Sequence, residues 1–138
     1  MRGPRSPGPA QLVERLPSPT EYIGLRSAVG WPSPATDECE RALQGSLAAV
    51  CAVDESEVVG IGRLVGDGAL NCWVVDVVVD PRYQGRGIGR AIVEQLEAVA
   101  IQQRLCGRLD LVATSDVVPF YRRLGYSALD SELMRKAL

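Results

Sequence analysis

The sequence contains no histidine, and its only lysine is Lys136. Catalytic sites in which an imidazole takes a proton from a serine or cysteine nucleophile are therefore excluded. A Walker A phosphate loop is excluded as well, because it needs a lysine directly after its last glycine. Any general base in this chain has to be a carboxylate, a tyrosine or water.

The four cysteines are widely spaced, with no C-x-x-C pair, and without histidine they cannot form a mixed Cys/His zinc site. We therefore expect no metal and reduced, mostly buried thiols in a cytoplasmic protein. No segment approaches the roughly 20 consecutive apolar residues of a membrane helix, so a membrane location is not expected. A net charge of −2 and a pI near 5.2 argue against a nucleic-acid partner.

The 138 residues, 46% of them hydrophobic, are enough for one domain with a substantial core. Residues 1–9 carry two arginines and three prolines but no apolar stretch of the kind found in secretory signals. They are predicted to be a disordered lead-in. The domain is predicted to span residues 10–138.

Apolar runs and turn residues predict an antiparallel meander followed by alternating helix and strand. The predicted strands are 12–16, 47–53, 58–65, 70–79 and 108–113. The predicted helices run from Ser18 or Thr20 to about 29, from Thr36 or Asp37 to about 44, from 88 to about 99, and over 117–124. From Tyr126 onward the chain is predicted to return as terminal strands, with a helix as the alternative for 131–136.

The most informative segment is the glycine-rich turn 84–90, which follows the apolar strand 77–79 and opens an amphipathic helix. Alternating glycines allow successive backbone N–H groups to point into one concavity, and the helix N-terminus adds roughly half a positive charge. A diphosphate is the expected ligand. The dinucleotide pattern G-x-G-x-x-G/A fails, because its last position holds Arg90 or Ile92, depending on the starting glycine.

This segment, Gln84-Gly85-Arg86-Gly87-Ile88-Gly89 after Val77-Val78-Val79, resembles the acetyl-CoA loop of the GCN5-related N-acetyltransferases (GNAT superfamily). The family signature is Q/R-x-x-G-x-G/A after a V-x-V strand. A second family landmark, an aromatic-Tyr pair followed by Leu-Gly-aromatic, stands at Phe120-Tyr121-Arg122-Arg123-Leu124-Gly125-Tyr126. The resemblance covers roughly residues 20–126. In the part before the glycine-rich turn, the chain resembles small, single-domain bacterial members of the family.

The resemblance implies the α/β (α+β) GNAT fold, with a mixed central sheet of about six to seven strands and about four flanking helices. The N-terminal strands would form an antiparallel meander. Strands 70–79 and 108–113 would form a parallel pair that splays apart. A bulge near Val77 would free backbone groups for the pantetheine amides of acetyl-CoA.

The family motif also implies which residues bind acetyl-CoA: Val77, Val78, Val79, Gln84, Gly85, Arg86, Gly87, Ile88, Gly89, Arg90 and Phe120. The loop would bind the pyrophosphate mostly through its backbone. Arg82, Arg86 and Arg90 are candidates for the nucleotide 3′-phosphate, with ordinary solvation as the alternative.

The resemblance assigns Tyr121 the task of giving a proton to the departing thiolate, with core packing as the alternative. Asp76 is a lone carboxylate within an apolar strand, where it has to be paired or functional. It is a candidate base or substrate anchor, with structural hydrogen bonding as the alternative, and related enzymes frequently have their acidic residue at the position of Val75. Trp31 and Trp73 are candidate walls of the acceptor pocket, although core packing is the default for both.

Together these features predict an acetyl-CoA-dependent N-acetyltransferase that acts on a primary amine by direct attack in a ternary complex. The expected partners are acetyl-CoA, as co-substrate, and a small-molecule amine, and the acidic balance favours a cationic one. The expected assembly is a monomer or homodimer. The alternatives are a catalytically silent acyl-CoA-binding regulatory domain and an enzyme that modifies protein N-termini or aminoacyl groups.

Overall fold

The structure is a computed structural model that describes residues 6–138. Its elements in chain order are β1 (Gln11–Glu14), α1 (Pro19–Ala28), α2 (Thr36–Gln44), β2 (Ala48–Asp54), β3 (Glu57–Gly66), β4 (Cys72–Val79), a 3₁₀ turn (Pro81–Tyr83), α3 (Ile88–Gln102) and α4 (Val118–Arg123). The first five residues of the predicted lead-in lie outside the described residues. In the rest of the lead-in, the Gly8 N–H donates to the Asp54 carboxylate at 2.9 Å, so this segment lies against β2.

The four strands form one antiparallel sheet in the order β1-β2-β3-β4. The predicted hairpin is confirmed, because β2 and β3 pair from Ala48↔Leu64 to Asp54↔Glu57. The predicted helix cap Ser18 is also confirmed: its hydroxyl accepts the Glu21 N–H at 3.1 Å, while the Glu21 carboxylate accepts the Ser18 N–H at 2.8 Å. No helix within residues 6–138 combines the length and apolarity needed to cross a membrane.

Helices cover both faces of the sheet. The apolar stripe of α3 buries Ile92 and Leu96 completely, against one face. The opposite face carries Cys51 and Ile61, which pack with residues of α1 and α2. Burying each large apolar side chain contributes about 1.5–3 kcal/mol. The sheet is therefore packed between two hydrophobic layers, and only its edges and strand ends are open to ligands.

α3 lies unusually close to β3 because a glycine faces it. A Cβ atom added to Gly62 would come within 2.6 Å of Ile92 and 2.9 Å of Leu96. Any side chain at this position would push α3 outward. Since the glycine-rich turn leads directly into α3, this close contact also sets the height of that turn above the sheet.

β4 contains a bulge, as the family resemblance implied. Ile61↔Val78 and Arg63↔Val75 are successive pairs, so one residue of β3, Gly62, is opposed by two of β4, Asp76 and Val77. The extra residue is accommodated at Asp76, whose φ of 56° lies in the left-handed region. The alternation of side chains shifts by one here: Val74 before the bulge and Val77 after it both face the α3 side.

The prediction of a strand over 108–113 is wrong. Only Asp110 pairs, in a single parallel bridge with Trp73. The described residues thus form four strands rather than the predicted six to seven, and the predicted parallel pair is reduced to this bridge. The bulge explains the short pairing, because β4 changes direction at Asp76, three residues after Trp73, and a ladder cannot follow it.

The predicted terminal strands are not formed either, nor is the alternative helix over 131–136. Most of the chain after α4 is exposed, with Leu129 at 73% and Met134 at 88% of their full accessibility. A terminal strand needs a neighbouring edge to pair with. Residues 108–113 do not form one, so the backbone after α4 has no ladder to join.

Candidate active site

The glycine loop, residues 84–90, combines a left-handed backbone with open space. Gly85 has a φ of 78° and Gly87, which caps the start of α3, has a φ of 81°. A Cβ atom at either position would meet no atom within 4 Å. The glycines are therefore needed for backbone conformation and for access to the backbone, and not because neighbouring atoms crowd them.

Six successive amides of the glycine loop have no internal acceptor. Across the part of the chain that the structure describes, no N–H of residues 85–90 donates to another protein group, and the first amide to do so is Ala91, which donates to Gly87 O at 3.0 Å. The last three of these amides belong to the first turn of α3, where the helix dipole adds its positive end. Such a set of donors binds an anionic, oxygen-rich group such as a phosphate or pyrophosphate.

The glycine loop is anchored from below by side chains. The Tyr83 hydroxyl is buried and donates to Asp54 Oδ2 at 2.6 Å. The Gln84 side chain donates to the carbonyl of Val79, the last residue of β4, at 3.0 Å. Gln84 thus fastens the loop to β4 with its side chain, which leaves the backbone amides beyond it for a ligand.

The three candidate arginines differ in their partners. Arg82 is paired with Glu57 at 2.7 Å and with Asp80 at 3.2 Å, and these contacts raise its pKa. Arg90 is paired with Glu94 at 2.6 Å. Within residues 6–138, Arg86 contacts no carboxylate: it lies over the Tyr83 ring and donates to the carbonyls of residues 7 and 8 at 3.3 and 3.4 Å. Of the three, Arg86 is the one whose positive charge is not paired with a carboxylate of the described residues, so it is the most available to a phosphate.

α4 brings the second landmark to the start of α3. The ring of Phe120 lies against Gly89, whose added Cβ would be 3.6 Å from the ring edge. Tyr121 packs edge-to-face against Phe120, with ring centroids 4.9 Å apart. Burial raises the pKa of Tyr121 above its ordinary value near 10, so the phenol holds its proton at neutral pH. A protonated phenol is a suitable general acid.

Tyr126 is a site neighbour that reasoning from the sequence noted only as part of the motif. Its ring contacts Tyr121 at 5.8 Å between centroids, and its hydroxyl donates to the Glu97 carboxylate on α3 at 2.8 Å. Burial, followed by the nearby Glu97, raises the pKa of Tyr126. This bond fixes the end of α4 to α3, and thereby the position of Tyr121.

Asp76 lies in a network of charged and aromatic side chains that we call the bulge cluster: Tyr22, Arg26, Arg63 and Asp76. Two nitrogens of Arg63 contact Asp76 Oδ2, at 2.9 and 2.8 Å, and the Tyr22 hydroxyl donates to the same oxygen at 2.7 Å. Arg26 lies 3.6 Å from Oδ1. A proton taken up by Asp76 would remove the charge that these arginines contact, so the geometry favours the structural alternative for this residue.

The bulge cluster was not found from the sequence, although a signal was present. Arg63 is a single charge within the apolar run 58–65, and it is 7% exposed in the structure. A buried charge needs a partner of opposite sign. Pairing β3 with β4 would have suggested Asp76 as that partner, but only if the bulge had been included in the register.

The structure separates the two tryptophans. Trp31 follows α1 and lies against Arg26, 5.4 Å from the guanidinium carbon to the ring centroid. Trp73 pairs with Val65 on β3 and with Asp110. Each ring is 39% exposed, and no ring contact joins them in the described chain. They are partly available to a ligand, but as separate surfaces.

A cavity of about 1170 Å³ lies between α3, α4 and the chain after α4, and its lining includes Tyr121, Glu97, Tyr126 and Leu129. The glycine loop is not part of this lining. The loop is the candidate phosphate site because of its free amides and not because of a cavity. Among residues 6–138, no three His, Cys, Asp or Glu side chains are grouped as metal ligands would be.

Comparison with known proteins gives a consistent family match. The family described as "Acetyltransferase (GNAT) family" matches residues 13–126. The chain is 35% identical to the histone acetyltransferase TAP1 of Glycine max over 115 residues, which is 75% of this chain and 49% of that protein. It is 37% identical over 111 residues to a chloroplastic serotonin N-acetyltransferase 2 of Oryza sativa, covering 78% of this chain and 54% of that protein. The chain thus spans about half the length of these two relatives.

Among solved structures, a GNAT-family acetyltransferase from Streptococcus pneumoniae matches with a TM-score of 0.78 and 30% identity, covering 94% of this chain and 98% of that one. The agreement in fold therefore extends over nearly the whole of both chains.

Proposed function

Because this chain belongs to the acetyltransferase (GNAT) family, we propose that it transfers the acetyl group of acetyl-CoA to a primary amine by direct attack, without a covalent enzyme intermediate. The observation that carries the proposal is the row of six free amides over residues 85–90 at the N-terminus of α3. Acetyl-CoA supplies the group that these amides suit, a pyrophosphate. Arg86 is the candidate for an additional phosphate contact, since the other two candidate arginines are paired with carboxylates.

The rest of acetyl-CoA would follow β4. The parallel contact between β4 and the chain near residue 110 ends at one bridge, and within residues 6–138 no strand pairs with the rest of β4, up to Val79, on that side. Backbone groups of Val77, Val78 and Val79 are the proposed partners of the pantetheine amides. Phe120 of α4, whose ring lies against Gly89 at the start of α3, is proposed to cover acetyl-CoA from the other side.

In the proposed reaction the neutral amine nitrogen attacks the thioester carbonyl carbon, which gives a tetrahedral oxyanion. The C–S bond then breaks, the CoA thiolate takes the phenolic proton of Tyr121, and the nitrogen loses a proton. Tyr121 is suited to this step because burial keeps it protonated. Water takes the amine proton in this scheme, since the oxygens of Asp76 already accept from or face cations. Solvent then returns a proton to the Tyr121 phenolate, which restores the enzyme.

A small amine is the proposed acceptor. The two curated relatives are named for histone and for serotonin, so amines of different size occur as named substrates among the relatives. One of those relatives is named as chloroplastic, and a cytoplasmic location for this chain stays a prediction. The prediction of a monomer or homodimer also remains open to measurement.

The first test is the thermal shift produced by acetyl-CoA. We expect millimolar acetyl-CoA, but neither NAD nor ATP, to raise the Tm of the wild-type chain. Gly87→Asp should abolish the shift, because it places a side chain and a negative charge among the free amides. Gly30→Asp is the matched control: Gly30 has a φ of 79° and equally open surroundings, so it introduces the same backbone strain away from the loop.

Release of free CoA with a panel of amines then separates the enzyme from a silent binding domain. Turnover with at least one amine supports the proposed activity. Binding of acetyl-CoA without turnover on any amine would instead support the regulatory alternative. A wild-type chain whose Tm is unmoved by acetyl-CoA would refute both.

A further inference from the structure

Asp76 has a backbone conformation that needs an explanation. Its φ of 56° belongs to the left-handed region, which is unfavourable for a non-glycine residue because Cβ crowds the backbone. Such strain persists only where surrounding contacts hold it. Asp76 also carries the extra residue of the β4 bulge, directly before the segment 77–79.

The contacts that hold Asp76 come directly from two elements, β3 and α1, and a third element, α2, holds Arg63. Arg63 on β3 reaches Oδ2 with two nitrogens, at 2.9 and 2.8 Å, and Tyr22 on α1 reaches it at 2.7 Å. A further nitrogen of Arg63 donates to the Ala42 carbonyl, in the last turn of α2, at 3.0 Å and to Ser46 Oγ at 2.8 Å. The carboxylate is thus tied to the sheet and to both helices that cover this face.

The Arg63 and Asp76 side chains are 9% and 16% exposed. Charge-assisted hydrogen bonds are short and directional, and at this burial they are screened little by water. They can therefore hold a backbone conformation that the chain would otherwise avoid. The Arg15–Glu21 pair contrasts with them, since its side chains are 40% and 27% exposed and it holds no strained residue.

We infer that Asp76 is a positioning residue: clamped by Arg63 and Tyr22, it keeps β4 bulged, so that the backbone of residues 77–79 is presented to the pantetheine of acetyl-CoA. This inference rests on the proposed function. It gives the contacts of Arg63 and Tyr22 with Asp76 a part in binding acetyl-CoA. It gives Asp76 no part in proton transfer. The substrate class that it concerns is an acyl-CoA thioester, whatever the acceptor amine.

The test compares Asp76→Asn and Arg63→Lys with the control Arg15→Lys. The asparagine keeps the shape of the side chain but loses its charge, and the lysine keeps the charge but loses the two-nitrogen contact. Both variants should raise the Kd for acetyl-CoA about tenfold, with a smaller change of kcat at saturating acetyl-CoA. The pH profile of kcat/KM should keep its shape, and Arg15→Lys should bind like the wild type.

Hydrogen exchange in the ligand-free protein gives an independent readout. Amides of 77–79 should exchange faster in both variants than in the wild type, while amides of α3 should not change. Tyr22→Phe removes one hydrogen bond and serves if Arg63→Lys fails to fold; it should raise the Kd about threefold. Folded variants with wild-type Kd and wild-type exchange at 77–79 would overturn the inference.

If Asp76 were a catalytic base, the same variants would give different results. In that case Asp76→Asn alone would lower kcat and make the rate rise more steeply with pH, while Arg63→Lys would bind acetyl-CoA normally. That result would overturn the positioning role but leave the proposed function standing. Failure of the wild-type chain to bind acetyl-CoA would instead remove the proposed function itself.

Discussion

The glycine loop and the bulge cluster both depend on left-handed backbone, yet they satisfy it in opposite ways. In the loop, Gly85 and Gly87 adopt φ near 80° at little cost, and the amides around them stay free. In the bulge cluster, Asp76 adopts φ of 56° at a cost, and its carboxylate is bound by two elements of the fold. The free amides of the loop indicate a surface that binds a ligand. The hydrogen-bonded carboxylate of Asp76 indicates a backbone shape that the protein maintains without a ligand.

Arg63→Met should produce the largest effect, because it removes the main partner of Asp76. Truncating one member of a buried ion pair typically costs about 3–5 kcal/mol of unfolding free energy. Urea denaturation of the wild type and the variant measures this difference. Arg15→Met, in the exposed pair with Glu21, should cost less than about 1 kcal/mol. Equal losses of unfolding free energy in the two variants would mean that the bulge cluster stabilises the fold no more than an ordinary surface ion pair does.

Tyr121→Phe should leave both regions intact and lower kcat about 100-fold, equivalent to roughly 3 kcal/mol of activation free energy. The ring still packs between Phe120 and Tyr126, so the Kd for acetyl-CoA should change little. The measurement is kcat with a good acceptor, under conditions where chemistry limits turnover. Full activity would show that water protonates the thiolate and that Tyr121 acts through packing alone.

Asp80→Asn should have the smallest effect and concerns the base of the glycine loop. Burial acts to raise the pKa of Asp80, but the Arg82 guanidinium and backbone N–H outweigh it and hold that pKa below its ordinary value of 3.8. The stabilisation is therefore present above pH 3.8 and is lost as the pH falls through the lowered pKa.

At pH 7 we expect Asp80→Asn to cost about 1 kcal/mol, as for other side chains that cap a turn. Unfolding free energies of both proteins, measured from pH 7 down to the acid limit of folding, should converge at the acid end. A constant difference across that range would show that the charge of Asp80 does not support the loop.

Local signals in the sequence located the parts of the fold that local interactions decide. The cap at Ser18, the hairpin of β2 and β3 and the apolar stripe of α3 depend on residues close together in the chain, and the structure has all three. The strand expected over 108–113 was wrong because its formation depends on the path of a distant strand. The apolar content of 108–113 does not indicate whether β4 runs parallel to this segment for long enough to pair with it.

The same distinction applies to the site. The spacing of the three glycines was sufficient to locate the row of amides, since each amide is positioned by the backbone conformation of its own turn. It could not separate the three arginines, because their partners come from Asp80 before the loop, from β3, from α3 and from the residues before β1. Nor could it decide between roles for Asp76, whose partners lie 13 and 54 residues away in the chain.

The sequence by itself determined the family, the glycine loop and the position of the tyrosine in α4, because these are short motifs in which neighbouring residues dictate backbone shape. Only the tertiary structure decided that Asp76 takes the left-handed conformation at the bulge, that Arg63 and Tyr22 hold this residue and that Arg86 lacks a carboxylate partner among the residues described. The physical reason is that charge pairing depends on distance in space, and the burial that strengthens it exists only once the helices have packed on the sheet.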